Sequence, residues 1–165
     1  MMGGVIHIGN GVLVNEGSLV YACNCVRIND FCEIGWKCQI MDSNHHLILK
    51  ESAEKINSPV SPVESGHNCW LASNVSIMRG VRLPPFTIVS AGSVVSRVES
   101  EDEACIYTGN PAKIISKGYK RILNTELERT VKDMFKISGE RSIVVKYSDD
   151  CITLNGVSYK KLFER

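Results

Sequence analysis

The sequence predicts an all-β solenoid, in which short flat strands separated by tight turns wind into a three-sided coil. Three features predict this fold: an aliphatic residue at every sixth position, small residues beside these positions, and one long polar interruption of the repeat. A period of six matches neither a helix, whose period is near 3.6, nor a simple two-residue strand alternation. Because each coil contacts only its neighbours, the expected core is a column rather than a ball.

The aliphatic repeat occurs in three runs, with a slip of two residues between the first and the second. The in-phase positions are Ile8, Val14 and Val20, then Ile28, Ile34 and Ile40, then Leu71, Ile77, Leu83, Val89 and Val95, with Ser65 on the same phase. Three hexads make one coil, so the runs predict roughly four stacked coils. Small residues such as Gly9 and Gly35 follow the aliphatic ones, where a bulky side chain would collide with a neighbouring strand.

The same repeat accounts for much of the high cysteine content. Zinc sites usually pair cysteines two to four residues apart and need a second such pair, and the spacings of these seven cysteines do not match. Cys32, Cys38 and Cys69 instead fall on a small inward position of the hexads. We expect cysteine to be a small apolar filler, with neither a metal nor disulfides.

Composition and charge limit the possible functions. The 165 residues include 19 basic and 18 acidic side chains, so the formal net charge is +1. A general nucleic-acid binder would carry a strong basic excess, which is missing here. No apolar run approaches the roughly 20 residues of a membrane span, and the first residues do not resemble a signal peptide. We therefore expect a cytoplasmic protein.

The repeat is interrupted at residues 42–64. This segment is polar and contains two prolines, so we expect a loop that protrudes from one edge of the solenoid. The repeat divides the chain into a solenoid domain, residues 1–118, and an appendage, residues 119–165.

The appendage shows helix and hairpin signals. Thr125 and Glu128 predict a capping box at the start of a helix that ends near Gly139. Asn155-Gly156 separates two β-like segments and predicts a hairpin within a small antiparallel meander.

Histidine is the side chain best suited to accept a proton near neutral pH, because its unperturbed pKa is near 6.5. His7 lies on a predicted strand and His67 in a predicted turn, where we expect exposed or structural side chains. His45 and His46 open the protruding loop, where a side chain can reach into a groove. These two are the candidate general bases.

Three blocks of the sequence resemble the hexapeptide-repeat acyltransferases: MDSNHHLI, then WLASNVSIMRGVRLPPFTIVSAGSVVSR, then TGNPAKIISKG. Within this family the sequence is most similar to the sugar and polysaccharide O-acetyltransferases of the galactoside and maltose acetyltransferase type. The resemblance covers residues 5–118, about 70% of the chain. It implies a left-handed parallel β-helix, a homotrimer, and acetyl-CoA bound in a groove between subunits as the donor to a sugar hydroxyl.

The resemblance also implies the catalytic residues. The family pattern Asp-Ser-Asp-aromatic-His maps onto residues 42–46 and selects His46 as the base, whereas the related pattern Asp-x-Asn-His selects His45. This chain departs from the first pattern at Asn44, where an acidic residue is common. Asp42 is therefore the candidate for orienting the imidazole.

Six residues match family positions that bind acetyl-CoA: Trp70, Ser73, Ala91, Gly92, Arg97 and Lys113. The resemblance implies that the main-chain N–H of Ser73 donates to the thioester oxygen as negative charge develops there. Trp70 would line the cleft, and the small Ala91 and Gly92 would let pantetheine approach the backbone. Arg97 and Lys113, with Lys117 nearby, would bind the phosphates.

Three other functions are compatible with this sequence. The same chemistry could act on the amine of an amino sugar. The same solenoid could be a zinc hydratase, although adjacent residues of an extended chain point opposite ways, which makes His45 and His46 poor co-ligands. It could also be a structural solenoid without catalysis. The sequence does not identify the acceptor.

Overall fold

A computed structural model of the chain describes residues 3–148 and 150–164. The remaining residues, Met1, Met2, Asp149 and Arg165, belong to the predicted domains but lie outside the described residues. The chain divides into two compact units, Met1–Lys120 and Arg121–Arg165. Among the described residues, no helix combines the length and apolar character that crossing a membrane requires.

The first unit is a parallel β-helix with three sheets, which confirms the predicted fold class. Sheet A contains β1 (Val5–Ile8), β4 (Cys25–Ile28), β9 (Val63–Ser65) and β12 (Arg82–Leu83). Sheet B contains β2 (Leu13–Val14), β5 (Glu33–Ile34), β10 (Trp70–Leu71), β13 (Ile88–Val89), β15 (Cys105–Gly109) and the antiparallel β16 (Ala112–Lys117). Sheet C contains β3 (Leu19–Tyr21), β6 (Gln39–Met41), β11 (Ser76–Ile77) and β14 (Val94–Val95). One strand from each sheet makes a coil.

The strand register places the predicted hexad positions directly above one another. In sheet B, Ile34 pairs with Leu71 and Leu71 with Val89; in sheet C, Ile40 pairs with Ile77. These side chains are almost completely buried, as is Cys38, which fills a small inward position as predicted. Stacked aliphatic side chains of successive coils therefore form the column that stabilises the unit.

The first coil differs from the others. Its hexad residues Ile8 and Val14 keep the inward register, opposite Ile28 and Ile34, but remain about half exposed, at 52% and 46%. Within the described residues this coil has a neighbour on one side only, so its inward side chains lack the second layer that covers those of later coils.

The second unit contains α1 (Thr125–Ser138) and an antiparallel sheet of β17 (Lys146–Ser148), β18 (Cys151–Leu154) and β19 (Val157–Lys160). The helix ends as predicted at Gly139, whose φ is 67°. Its N-cap, however, is Asn124 rather than Thr125, because the Asn124 side chain accepts the N–H of Leu127 at 2.8 Å. Asn155 and Gly156 form the predicted hairpin turn, with φ values of 50° and 80°.

Candidate active site

The predicted loop leaves the solenoid after β6 and rejoins it at β9. Its ends are held together, because Ser43 forms an antiparallel bridge with Val60 and the N–H of Asn44 donates to the carbonyl of Pro59 at 2.9 Å. Between these ends lie the hairpin strands β7 (Ile48–Lys50) and β8 (Lys55–Asn57), joined by a short 3-10 helix, Glu51–Ala53. Hydrogen bonds therefore hold the two ends of the loop together where it meets the solenoid.

Asp42 anchors the ends of the loop to the preceding coil. Its side chain is 0% exposed. Oδ1 accepts the main-chain N–H of Cys23 at 2.8 Å, and Oδ2 accepts those of Asn24 at 2.7 Å and Cys25 at 2.8 Å. Within the described residues the carboxylate of Asp42 thus binds three backbone amides and makes no hydrogen bond to an imidazole; that it orients the imidazole stays a prediction.

The two loop histidines have different surroundings. His45 has a left-handed backbone, with φ 61°, and its N–H donates to the hydroxyl of Ser43 at 2.9 Å. Its ring packs against Tyr21, with 4.9 Å between the ring centroids. His46 is exposed and lines a pocket at the foot of the hairpin. The two side chains therefore do not share a common ligand site.

The pocket beside His46 has a volume of about 120 Å³. Polar side chains of both loop ends contribute to its wall, together with one cation from the next coil. The lining residues are Asn44, His46, Ile48, Asn57, Ser58, Pro59 and Arg79. Sequence reasoning did not identify Arg79. Amides, a hydroxyl and an imidazole around a small cavity can hydrogen-bond the hydroxyls of a sugar.

Ser73, Ala91 and Gly92 lie in a different place, in turns stacked between sheets B and C. The N–H of Gly92 donates to the carbonyl of Ser73 at 2.9 Å, and that of Asn74 to the carbonyl of Trp36 at 2.8 Å. Trp36, which is 57% exposed, thus occupies the same column one coil below Ser73. Sequence reasoning did not single out this tryptophan.

These stacked turns leave room for an extended ligand. A Cβ added at Gly92 would meet nothing within 4 Å, and Ala91 is exposed. Within the described residues, the main-chain N–H of Ser73 has no hydrogen-bond acceptor. Trp70 lies nearby in sequence on β10, paired with Glu33 and Ile88. A chain of pantetheine dimensions could therefore approach this backbone closely, and one free donor is available to it.

Lys113 is paired with the carboxylate of Glu99, on which the charge of Arg97 also acts. Lys113 Nζ lies 2.5 Å from Glu99 Oε1, and the N–H of Ile114 donates to Glu99 Oε2 at 3.3 Å. The hydrogen bond from Lys113 lowers the pKa of Glu99 most, and the charge of Arg97 lowers it further. At neutral pH the charge of Lys113 is therefore offset by Glu99.

Lys117, the third cation of the predicted phosphate site, is paired in the same way. Its Nζ lies 2.6 Å from Asp102 Oδ2, and this bond raises the pKa of Lys117 and lowers that of Asp102.

The predicted site residues thus fall into separate groups within one chain. His46 lies with Arg79 beyond the end of β11, whereas Ser73 precedes the start of the same strand. Lys113 and Glu99 form the third group, and the charge of Arg97 acts on the same carboxylate. Nowhere in the described part of the chain do three or more His, Cys, Asp or Glu side chains form a group that could hold a metal ion.

No protein-family model matches the chain, but curated relatives do. In Saccharomyces cerevisiae, "Putative acetyltransferase YJL218W" is 30% identical over 115 residues, which are 70% of this chain and 57% of that protein. In Escherichia coli K12, "Putative lipopolysaccharide biosynthesis O-acetyl transferase WbbJ" is 31% identical over 124 residues, with coverages of 69% and 61%. The chain spans less than two thirds of either relative.

A solved structure shows the same fold. The hexapeptide-repeat acetyltransferase VCA0836 of Vibrio cholerae O1 biovar eltor, crystallised with acetyl-CoA, matches with a TM-score of 0.58. The match has 23% sequence identity and covers 68% of this chain and 60% of that one.

Proposed function

Because the chain belongs to the hexapeptide-repeat acetyltransferase family, we propose that it transfers the acetyl group of acetyl-CoA to a hydroxyl of a sugar or polysaccharide. One observation carries the proposal: His46 lies in a pocket whose other polar groups are amides, a hydroxyl and a guanidinium. The name of the Escherichia coli relative supports an O-acetyl transferase, and the Vibrio cholerae structure supports acetyl-CoA as the donor.

His46 is the proposed general base. A sugar hydroxyl is a weak nucleophile at neutral pH, and an imidazole within hydrogen-bond reach can take its proton as the oxygen attacks. Asn44, Asn57 and Ser58 would hold the other hydroxyls of the acceptor in the same pocket. His45 is the weaker candidate because its ring already packs against Tyr21.

The stacked turns are the proposed acetyl-CoA site. This donor supplies an activated acetyl thioester. Ser73 offers an unused main-chain N–H for the developing negative charge, and the open surface at Ala91 and Gly92 fits a closely approaching chain. Arg97 and Lys113 would bind the phosphates, and Trp70 would line the cleft.

The separation of these groups supports the predicted homotrimer. Ser73 precedes β11 and Arg79 follows it, so they lie at different corners of the coil, and the six residue steps from one to the other span up to about 20 Å. A site that brings the pocket of one copy against the Ser73 turn of another would unite base and thioester. The cytoplasmic location expected from the sequence stays a prediction.

Two variants test the proposed function. Release of coenzyme A is followed with a thiol reagent over a panel of sugars, amino sugars and glycans, for the wild type, His46→Ala and His45→Ala. We expect His46→Ala to lower kcat for hydroxyl acceptors by about 10²- to 10⁴-fold, the usual contribution of a general base. His45→Ala is the matched control and should retain kcat within about tenfold.

Ligand binding and assembly complete this test. Coenzyme A should raise the melting temperature of the wild type and both variants, because it binds the folded state. Native mass spectrometry should give three copies. Equal losses of kcat in His46→Ala and His45→Ala would contradict the assignment of the base. A preference for amine acceptors that survives His46→Ala would indicate N-acetylation. If coenzyme A does not change the melting temperature, the proposed function is overturned.

A further inference from the structure

Arg79 is held at the pocket by its turn. It lies in the turn after β11, where the N–H of Gly80 donates to the carbonyl of Ser61 at 3.0 Å. A Cβ at Gly80 would lie 3.1 Å from the Ser61 hydroxyl, so the turn packs closely against the returning end of the loop. The backbone therefore fixes the point beside the pocket from which the side chain of Arg79 extends.

The guanidinium of Arg79 is unpaired among the residues that the structure describes. Within residues 3–148 and 150–164, no hydrogen bond or ion pair engages the half-buried side chain of Arg79. Among the residues that the structure describes, no carboxylate lines the pocket, whose other polar side chains are neutral amides, a hydroxyl and the imidazole of His46. By contrast, Lys113 and Lys117 are each paired with an acidic residue. The pocket thus presents an uncompensated positive charge beside the proposed base.

From this arrangement we infer that the acceptor is an acidic sugar whose carboxylate binds Arg79 while one of its hydroxyls faces His46. The inference rests on the proposed function and deepens it by naming the substrate class. A planar guanidinium donates two parallel hydrogen bonds to a carboxylate, which a neutral sugar cannot accept in the same way.

The positions of Arg79 and His46 limit where the carboxylate can be. Both side chains line one small pocket, of about 120 Å³ within a single chain. We therefore expect one sugar residue to present both the carboxylate and the reacting hydroxyl. Uronic acids and nonulosonic acids have this arrangement.

The test compares each acid with its own methyl ester. Methyl glycosides of glucuronic, galacturonic and N-acetylneuraminic acid, and the corresponding methyl esters, are offered with acetyl-CoA to the wild type, Arg79→Gln, Arg79→Lys and Arg82→Gln. Arg82 is the matched control, because it is an exposed arginine on β12, outside the pocket lining. Sugar phosphates form a further arm, since a guanidinium also binds phosphate.

We expect the wild type to prefer at least one acid over its ester by about 10- to 100-fold in kcat/KM, the usual effect of hydrogen bonds to a charged group. Arg79→Gln should remove most of this preference, because it should raise KM for the acid much more than KM for the ester. Arg79→Lys should keep part of it, and Arg82→Gln all of it.

Several outcomes would overturn the inference. The wild type could use acid and ester equally well, could acetylate neutral sugars but no acid, or could prefer sugar phosphates. Arg79→Gln could lose the same amount of kcat/KM on the acid and on the ester. Failure of the proposed function looks different, because then no acceptor is acetylated and coenzyme A does not raise the melting temperature of the wild type.

Discussion

The contacts of Asp42 predict a large loss of stability in Asp42→Asn. The carboxylate is fully buried and accepts three main-chain N–H groups, two at Oδ2 and one at Oδ1. An asparagine can place its carbonyl oxygen at the Oδ2 position, but its NH₂ group then faces the N–H of Cys23. One donor loses its acceptor, and the other two exchange a charged acceptor for a neutral one.

The size of this loss follows from these bonds. A hydrogen bond to a charged group contributes about 1.5–3 kcal/mol, so one lost bond and two weakened bonds should cost about 2–4 kcal/mol. That is a large part of the roughly 5–15 kcal/mol that stabilises a typical protein. Urea unfolding followed by tryptophan fluorescence measures it, because Trp36 and Trp70 both belong to the unit Met1–Lys120.

Asp30→Asn is the matched control. Oδ1 of Asp30 accepts both the main-chain N–H and the side-chain amide of Asn10, at 2.7 and 3.3 Å. An asparagine oxygen can keep both bonds, so we expect a loss below about 1 kcal/mol. If Asp42→Asn unfolds like this control but loses kcat at least a hundredfold, the anchoring role is refuted and Asp42 acts on the imidazole.

Three further predictions concern the coils and the donor site. Gly35→Ala should lower the free energy of unfolding in urea by about 1–3 kcal/mol, because the new Cβ would lie 2.7–2.9 Å from backbone atoms of Leu71 and Ala72. Gly3→Ala is the control and should cause no such loss, because a Cβ at Gly3 would meet nothing within 4 Å. Equal losses in the two variants would contradict the predicted clash. Ala91→Trp should weaken coenzyme A binding at least about tenfold in calorimetry by filling the proposed donor site, and Glu16→Trp, in the same turn column three coils below, should leave it unchanged. Glu99→Gln should strengthen coenzyme A binding about threefold, because it frees the charge of Lys113 to interact with the phosphates, and this effect should shrink in high salt. An unchanged affinity would show that Lys113 does not bind the phosphates. Because the Glu99 pKa is lowered below its ordinary 4.5, its pairing with Lys113 persists at neutral pH and is lost only as pH falls through that lowered pKa.

The sequence predicts the coils well because the hexad is a local rule. A flat strand and a tight turn repeat their inward positions at a fixed spacing, so Ile34, Leu71 and Val89 can be aligned by counting alone. The predicted slip of two residues is confirmed, since Val5 pairs with Cys25, 20 residues on, whereas Glu64 pairs with Arg82, 18 residues on.

The role of Asp42 could not be obtained in the same way. Its partners are backbone amides, which carry no residue-specific signal, and they lie 17–19 residues earlier in the chain. The family pattern marks Asp42 as a polar residue beside the histidines but does not distinguish an anchor of the loop from a partner of the imidazole.

Arg79 shows how the interrupted repeat builds a site from distant segments. The pairing of Ile40 with Ile77 places the turn that carries Arg79 one coil beyond the point where the loop departs. The loop must return to the solenoid beside this turn, and the hydrogen bond from Gly80 to Ser61 fixes that return. A cation in this turn therefore lies at the foot of the loop whatever the sequence of the hairpin. The scaffold thus determines the charge of the pocket, while the loop supplies the proposed base and the amides, so substitutions at Arg79 and in the hairpin should act on acceptor choice together rather than additively.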